Sequence, residues 1–297
     1  MSPRVSGKQL HLWRQQAIKD AITYQVEPKE VDWLLQELSD LDSLSCRLEL
    51  YKNREEINLV KPLAELEKLW QSRLRESIPV QYLAGRTPWR NFKIKVSPAV
   101  LIPRPETEYI IDIALAAVEN YPVLQTGIWV DLGTGSGVIA CGLAKAFPQA
   151  QVYGVDNSIS ALKIASDNSH NLGLAGRVKF YQGNWWQPLG QLQGKIAAMV
   201  SNPPYIPTKL ISQLQPEVFK HEPHSALDGG KDGLRDIRYL IKSAPDYLMP
   251  GGLWLIEMMA GQGKIVAKML KNQGSYQNVQ IIADLAGKDR FALAYLK

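Results

Sequence analysis

The sequence predicts an α/β fold, a mostly parallel sheet with helical crossovers, preceded by a small helical bundle and a β-hairpin linker. Three observations carry this. Amphipathic helical spacing fills the first eighty or so residues without a strand, the stretch after Pro79 partly alternates, and from Ile128 onward short apolar runs alternate with helical patterns. The chain of 297 residues is 45% hydrophobic and 21% charged, which excludes disorder and collagen-like repeats. No apolar run approaches the roughly 20 residues of a membrane helix, and MSPRVSGKQLHLW lacks the apolar core of a signal peptide. A cytoplasmic protein with no membrane partner is therefore expected. The net charge of +5, from 34 Lys+Arg against 29 Asp+Glu, has no long basic block, so it would assist binding to an acidic partner or nucleic acid without identifying one, and suits equally a soluble enzyme that happens to be basic.

Each element follows from local pattern. Leu10, Trp13, Ala17, Ala21 and Tyr24 recur at helical spacing. A second helix opens at Pro28 with Val31, Leu34, Leu35 and Leu38 inward, and a third follows Pro62 with Leu63, Leu66, Trp70 and Leu74. This bundle, residues 1–78, carries no catalytic cluster and reads either as a packing domain or as a docking domain. Residues 79–104 read as the hairpin linker, with Tyr82, Trp89, Phe92, Ile94 and Val96 partly alternating and turn signals at Gly85 and Pro88. The third segment, residues 105–297, opens with a helix rich in Ile and Ala that runs through Val118. Strands are then expected at 128–131, 151–156, 178–182, 196–201 and 253–257, with helices over 158–171 and 234–248 between them. Residues 279–282 and 291–296 form a closing hairpin-type pair. The stretch 203–233 has little regular pattern, and irregular loops that long inside a domain are usually functional or disordered. Cys46 and Cys141 have no metal or redox spacing and read as structural.

The chemistry begins with Asp131-Leu-Gly-Thr-Gly-Ser-Gly137, between an apolar strand and a helix starting near Val138. Its G-x-G-x-G spacing disfavours a pyrophosphate seated on the helix N-terminus. Taken alone, the glycines serve any tight turn or close ligand. Asp156, ending the next strand about twenty residues on, is the usual place to hold both ribose hydroxyls, and the pair points to an adenosine cofactor on Gly133, Thr134, Gly135, Ser136, Gly137 and Asp156. After the third strand, Asn184 could accept from an adenine amino group while Trp185, more than Trp186, covers a ring face; alternatively the two indoles anchor a loop. After the fourth strand comes Asn202-Pro203-Pro204-Tyr205. Together with the glycine turn it suggests methyl transfer to an amide or amine nitrogen; an amide nitrogen is a poor nucleophile, so a site that methylates one must hold it in line with the donor methyl. The Asn202 side-chain oxygen and the Pro203 carbonyl would accept its two N–H groups, with Tyr205 stacking over the planar substrate. The bland alternative is a rigid Pro-Pro turn. It loses ground because the segment follows a cofactor loop and a ribose-type Asp in this order. His221 and His224 read as polar loop residues, and no metal site is expected.

These residues resemble, over nearly the whole chain, the protein-(glutamine-N5) methyltransferases that modify peptide chain release factors. The matching segments are Gln81-Tyr-Leu-Ala-Gly85, Leu101-Ile-Pro-Arg-Pro-Glu-Thr-Glu108, DLGTGSG, Val155-Asp156, Ser201-NPPY-Ile206, Glu222-Pro-x-x-Ala-Leu-Asp-Gly-Gly230 and Asp232-Gly-Leu234. The resemblance implies a Rossmann-like class I methyltransferase domain with a seven-stranded, mostly parallel sheet, and a helical N-terminal domain that engages the release factor. A monomer without a stable nucleic-acid partner is expected. It also implies S-adenosylmethionine as methyl donor and the Gln of a Gly-Gly-Gln loop as acceptor. Carried over, the donor is held by Gly133 to Gly137, Asp156, Asn184, Trp185 and Asn202, and the glutamine amide by Asn202 to Tyr205, with Arg104, Glu106 and Thr107 on the cofactor side. Two departures stand out: Asn184 replaces the family's frequent Asp, and Met258-Met-Ala260 intervenes where a Gly usually follows Glu257. The rivals are an adenine-N6 nucleic-acid methyltransferase, which would need a basic channel that the helical segment does not signal, and a non-catalytic adapter, which would not need all three motifs.

Overall fold

The computed structural model describes residues 2–297, which divide into two compact units. One comprises the residues up to Arg86 together with Gln215–His221; the other comprises Thr87–Leu214 and Glu222–Lys297.

In the first unit the helices Gly7–Thr23, Lys29–Leu38 and Leu63–Glu76 bury the apolar faces that their spacing predicts, with Leu10, Leu34, Leu35 and Trp70 fully enclosed, and a short helix that the spacing does not signal, Ser43–Arg47, lies between the second and the last of these. Ser6 and Gln9 close a reciprocal capping box on the first helix, and the Asp42 side chain caps the third. The unit is not purely helical as expected. Strand β1 (Arg4–Val5) pairs antiparallel with β2 (Ile57–Asn58), strands too short to leave an alternating signature. Residues Val80–Ala84, expected within the hairpin, are a helical turn entered at Pro79 with φ −53° and ended by left-handed Gly85.

The hairpin is correspondingly narrower, β3 (Arg86–Trp89) and β4 (Phe92–Lys95). Asn168 exchanges side-chain bonds with the Lys95 backbone at 2.7 and 3.0 Å, fastening β4 to the helix Ile159–Asn171. The main sheet contains β5 (Ile128–Leu132), β6 (Gln151–Asp156), β7 (Val178–Gln182), β8 (Ile196–Ser201), β9 (Leu248–Glu257), β10 (Tyr276–Ala283) and β11 (Asp289–Leu296). Their spatial order is β10-β11-β9-β8-β5-β6-β7, with β5 to β9 parallel and β11 antiparallel to both neighbours. The sheet is thus the seven-stranded, mostly parallel one expected, among the described residues. Every residue of β8 is buried, as a central parallel strand covered on both faces requires. β9 starts five residues earlier than expected, because the Pro250-Gly251-Gly252 stretch, which reads as a turn, is absorbed as an irregularity in the β8–β9 register. The irregular stretch contains the short helices Thr208–Ile211 and Pro216–His221. No helix among the described residues is long and apolar enough to cross a membrane.

Arg73 locks the segment Gln215–His221 into the first unit. It is 5% exposed and bonds Glu30 through two nitrogens, at 2.6 and 2.9 Å, and Glu217 at 2.7 Å. Arg73 is buried but Glu30 and Glu217 are only half-buried, so its loss leaves carboxylates that water can reach, at a cost of about 1.5–3 kcal/mol, that of hydrogen bonds to charged groups. Arg73→Ala is therefore expected to destabilise this unit by that order and to speed amide exchange in 215–221, measured by denaturant titration and hydrogen exchange. Unchanged protection there would show that the segment is held by other contacts.

Candidate active site

In the register of the sheet, Leu132 lies beside Val155 and Ser201, and Ser201 beside Ile256. The carboxyl ends of β5, β6, β8 and β9 therefore finish at one level, at the point where strand order reverses between β5 and β8, the usual ligand crevice of such sheets. A cavity of about 460 Å³ opens there, within the range of small-molecule sites.

Its floor is the glycine turn. Gly133, Gly135 and Gly137 have φ of +74°, +52° and +81°, the left-handed region that glycine enters without steric cost. The amides of Gly133 and Thr134 both donate to the Val155 carbonyl at 2.9 Å, folding the turn across β6. Asp156 accepts from the Gly135 amide on one oxygen and from the Ser158 amide on the other, each at 2.9 Å. Each oxygen keeps a lone pair for a ligand hydroxyl. Burial pushes this carboxyl above its ordinary range, partly offset by the amides of Ser158, Gly135 and Asn157. Gly133, Thr134, Gly135, Ser136, Asp156, Asn184, Trp185 and Asn202 all line the cavity. Gly137 does not: a Cβ there would come within 2.9 Å of the Ala165 Cβ, so this glycine permits close approach of the helix Ile159–Asn171.

The two adjacent tryptophans separate cleanly. Trp186 is buried, stacks on Tyr247 at 4.5 Å and donates to Ser243 Oγ at 2.9 Å, which makes it a core anchor. Trp185 stands at φ +52° and sets its ring about 3.5 Å from where a Gly133 Cβ would be. A bulky residue held in the left-handed region is strained, and such strain gathers at ligand sites.

The Asn-Pro-Pro-Tyr segment leaves the end of β8. Asn202 and Pro204 face the cavity, whereas Pro203 is buried and Tyr205 is off the cavity wall. Rather than standing free to stack, Tyr205 donates its hydroxyl to Glu257 at 2.9 Å, and its carbonyl accepts from Gln262 Nε2 at 3.1 Å. Asn202 Nδ2 donates to Thr107 Oγ1 at 3.3 Å, and Thr107 donates to the other Glu257 oxygen at 2.6 Å. Thr107 lies on the cavity wall. Arg104 and Glu106 do not: Arg104 pairs with buried Glu222 at 2.7 Å, and exposed Glu106 points towards Arg290 at 4.0 Å. The Glu222 to Gly230 segment is laced to the same strand end, with the Ile206 amide donating to Leu227 O and the Gly229 amide to Ile206 O, both at 2.9 Å. Its residues Pro223 to Ala226, with Asp228, supply a wall of the cavity that residue-by-residue reading did not assign. Glu257 and Gln262 were likewise unassigned. Gln262 also closes the turn at Met258-Met-Ala260 by accepting from the Met259 amide at 3.0 Å. His221 Nε2 sits 2.8 Å from the Glu76 carbonyl, and no group of three or more metal-ligating side chains occurs among the described residues.

A parallel sheet of this order with a glycine turn, a strand-end Asp and a gripped Asn at one rim defines a class I methyltransferase. The Methyltransferase small domain family matches residues 111–231. The fold is shared with a methyltransferase from Pyrococcus furiosus (TM-score 0.50, 18% identity, 79% of this chain and 96% of that one). It is also shared with the hMettl16 catalytic domain (0.56, 13%, 88% of each). The release factor glutamine methyltransferase of Synechocystis sp. is 50% identical over 98% of this chain and 97% of its own, and that of Vibrio cholerae 40% over 80% and 81%. The chain belongs to the release factor glutamine methyltransferases.

Asp131 anchors the turn from below. Fully buried, it accepts on one oxygen from Thr134 Oγ1 at 2.5 Å and from the Ala140 amide at 3.1 Å, while its other oxygen has no partner among the described residues. Burial pushes its carboxyl up to about 7, against about 3.9 in an unfolded chain. Between those values the folded state holds a proton that the unfolded state has lost. The resulting stabilisation is complete at the acid end and is lost as pH rises through about 7. Asp131→Asn cannot lose that proton, so its stability should fall less than wild type between pH 5 and about 8 in calorimetry. Parallel curves for the two proteins would remove Asp131 as the titrating group.

Proposed function

We propose that the chain transfers a methyl group from S-adenosylmethionine to the side-chain amide nitrogen of the glutamine in the Gly-Gly-Gln motif of peptide chain release factors. The observation that carries this reading is the orientation of Asn202. With its Nδ2 committed to Thr107, Oδ1 is the atom left to accept at the cavity wall, beside the glycine turn. An acceptor aimed at an N–H suits an amide that must be held in place without a base.

The cavity fits the methyl donor. Asp156 has lone pairs for the two ribose hydroxyls, and the backbone of Gly133 to Ser136 is open to close approach. Trp185 offers a ring face with Asn184 at its edge, and Val138, Ile139 and Ala161 supply apolar wall. The donor brings an electrophilic sulfonium methyl; the chain's own residues bind, align and exclude water. Asn202 Oδ1 and the Pro203 carbonyl would accept hydrogen bonds from the two amide N–H groups, localising the nitrogen lone pair and aiming it; methyl transfer would leave S-adenosylhomocysteine and release one amide proton to solvent with or after the transfer. Pro204 borders the slot, and Tyr205, off the cavity wall and tethered to Glu257, fixes the course of the segment behind it. The unit containing the N-terminal helices would dock the release factor, and the enzyme would work as a cytoplasmic monomer, where translation factors are found, without a stable nucleic-acid partner.

Incubation with methyl-labelled donor and intact release factor tests the reading: label is expected on the glutamine, and label on nucleic acid instead would overturn it. Asp156→Ala removes charge-assisted bonds to the ribose and should weaken donor binding by roughly 1.5–3 kcal/mol, read by calorimetry. Unchanged affinity would take Asp156 out of the site. Asn202→Ala should lower kcat by about 10²–10³, the cost of one preorganised polar contact. A near-wild-type kcat would mean that the amide is gripped elsewhere.

A further inference from the structure

We infer that Thr107 is a positioning residue, anchored by Glu257, that decides which end of the Asn202 carboxamide faces the acceptor. The inference rests on the glutamine-methylation reading above. A carboxamide has two ends of nearly equal shape and opposite hydrogen-bonding sense, and a half-turn about its last bond would present N–H donors to a substrate that also offers N–H donors. Something must forbid that half-turn.

Thr107 can do so because its hydroxyl has one proton, and that proton is already directed. Glu257 Oε2 takes it at 2.6 Å, in a setting where Thr107 is 3% and Glu257 1% exposed, so neither side chain has bulk water as a substitute. Only lone pairs of Thr107 Oγ1 then remain to meet Asn202, and these accept solely from the Nδ2 end, found at 3.3 Å. Glu257 Oε1 takes the Tyr205 hydroxyl at 2.9 Å, so one carboxylate holds both polar residues of the Asn-Pro-Pro-Tyr segment. Burial raises the pKa of Glu257, and the two hydroxyls work against that rise, as donors to its oxygens must.

The test uses the full-length protein. Thr107→Val keeps the shape and deletes the relay, and should lower kcat about 10–100-fold, the range found when a supporting hydrogen bond behind a working residue is lost. Because Thr107 also lines the donor cavity, the loss in kcat should exceed any change in the donor KM. Thr107→Ser restores the hydroxyl and should recover most of the rate. Glu257→Leu should lose at least as much rate as Thr107→Val, because it also frees the Tyr205 hydroxyl, and the double variant should be little slower than Glu257→Leu alone, as expected for links of one chain. A separate readout is the Asn202 carboxamide proton pair in NMR, identified by its disappearance in Asn202→Asp. It should be protected from exchange in wild type and Thr107→Ser and unprotected in Thr107→Val. A full rate in Thr107→Val, an equal loss in Thr107→Ser, or protection unaltered by the valine would each overturn the relay. If wild type leaves release-factor glutamine unlabelled, the functional reading fails, while the NMR comparison still decides the relay.

Discussion

The site depends on the parallel register of β5, β6, β8 and β9, which makes four strands end at one level. Leu132, Val155, Ser201 and Ile256 are neighbours across that row. The next residue of each strand or turn therefore emerges on a common rim: Gly133, Asp156, Asn202 and Glu257. A slip of one residue in any pair would turn the strand over and bury its polar terminus. The register is defended by full burial on both faces of β8 and by Ser201 Oγ, which donates to the Leu132 carbonyl at 2.6 Å between the two central strands.

Polar groups behind the rim are arranged so that the cavity-facing atoms are the ones left over. Asp131 occupies Thr134 and the Ala140 amide, Glu257 occupies Thr107 and Tyr205, and Gln262 bridges Tyr205 O and Gly233 O. Each of these three side chains is less than 5% exposed. A buried hydrogen bond without competing water holds its geometry, which is what a site that works by alignment rather than by proton abstraction requires.

Much of the fold was legible because its signals are local. Apolar runs bounded by Gly and Asp mark β5 to β8 to within a residue, and Ser158 caps the helix that follows β6. What the sequence hides is non-local or too brief. The β1–β2 pair is two residues long, and the extension of β9 crosses a Pro-Gly-Gly stretch whose turn signal loses to pairing with β8. The hairpin linker is shorter than its pattern suggests because Tyr82 and Leu83 suit a strand as well as a helix, and Pro79 and Gly85 decide between them only through their φ angles.

The same distinction runs through the site. Asp156 and Asn202 can be suspected from one stretch of chain each, since each ends an apolar strand. Neither Thr107 nor Glu257 can be understood that way, because the bond between them spans 150 positions and neither residue is unusual in its own segment. Gly137 reads as part of a ligand loop, and only its approach to Ala165 shows that it serves helix packing. Trp185 and Trp186 are chemically identical neighbours, separated in role by one positive φ and one stacked tyrosine. Motif spacing thus locates the atoms that meet ligands, while the residues that hold those atoms in one orientation are chosen by tertiary packing alone. In this chain the orientation of an amide, which the chemistry needs, lies in that second group.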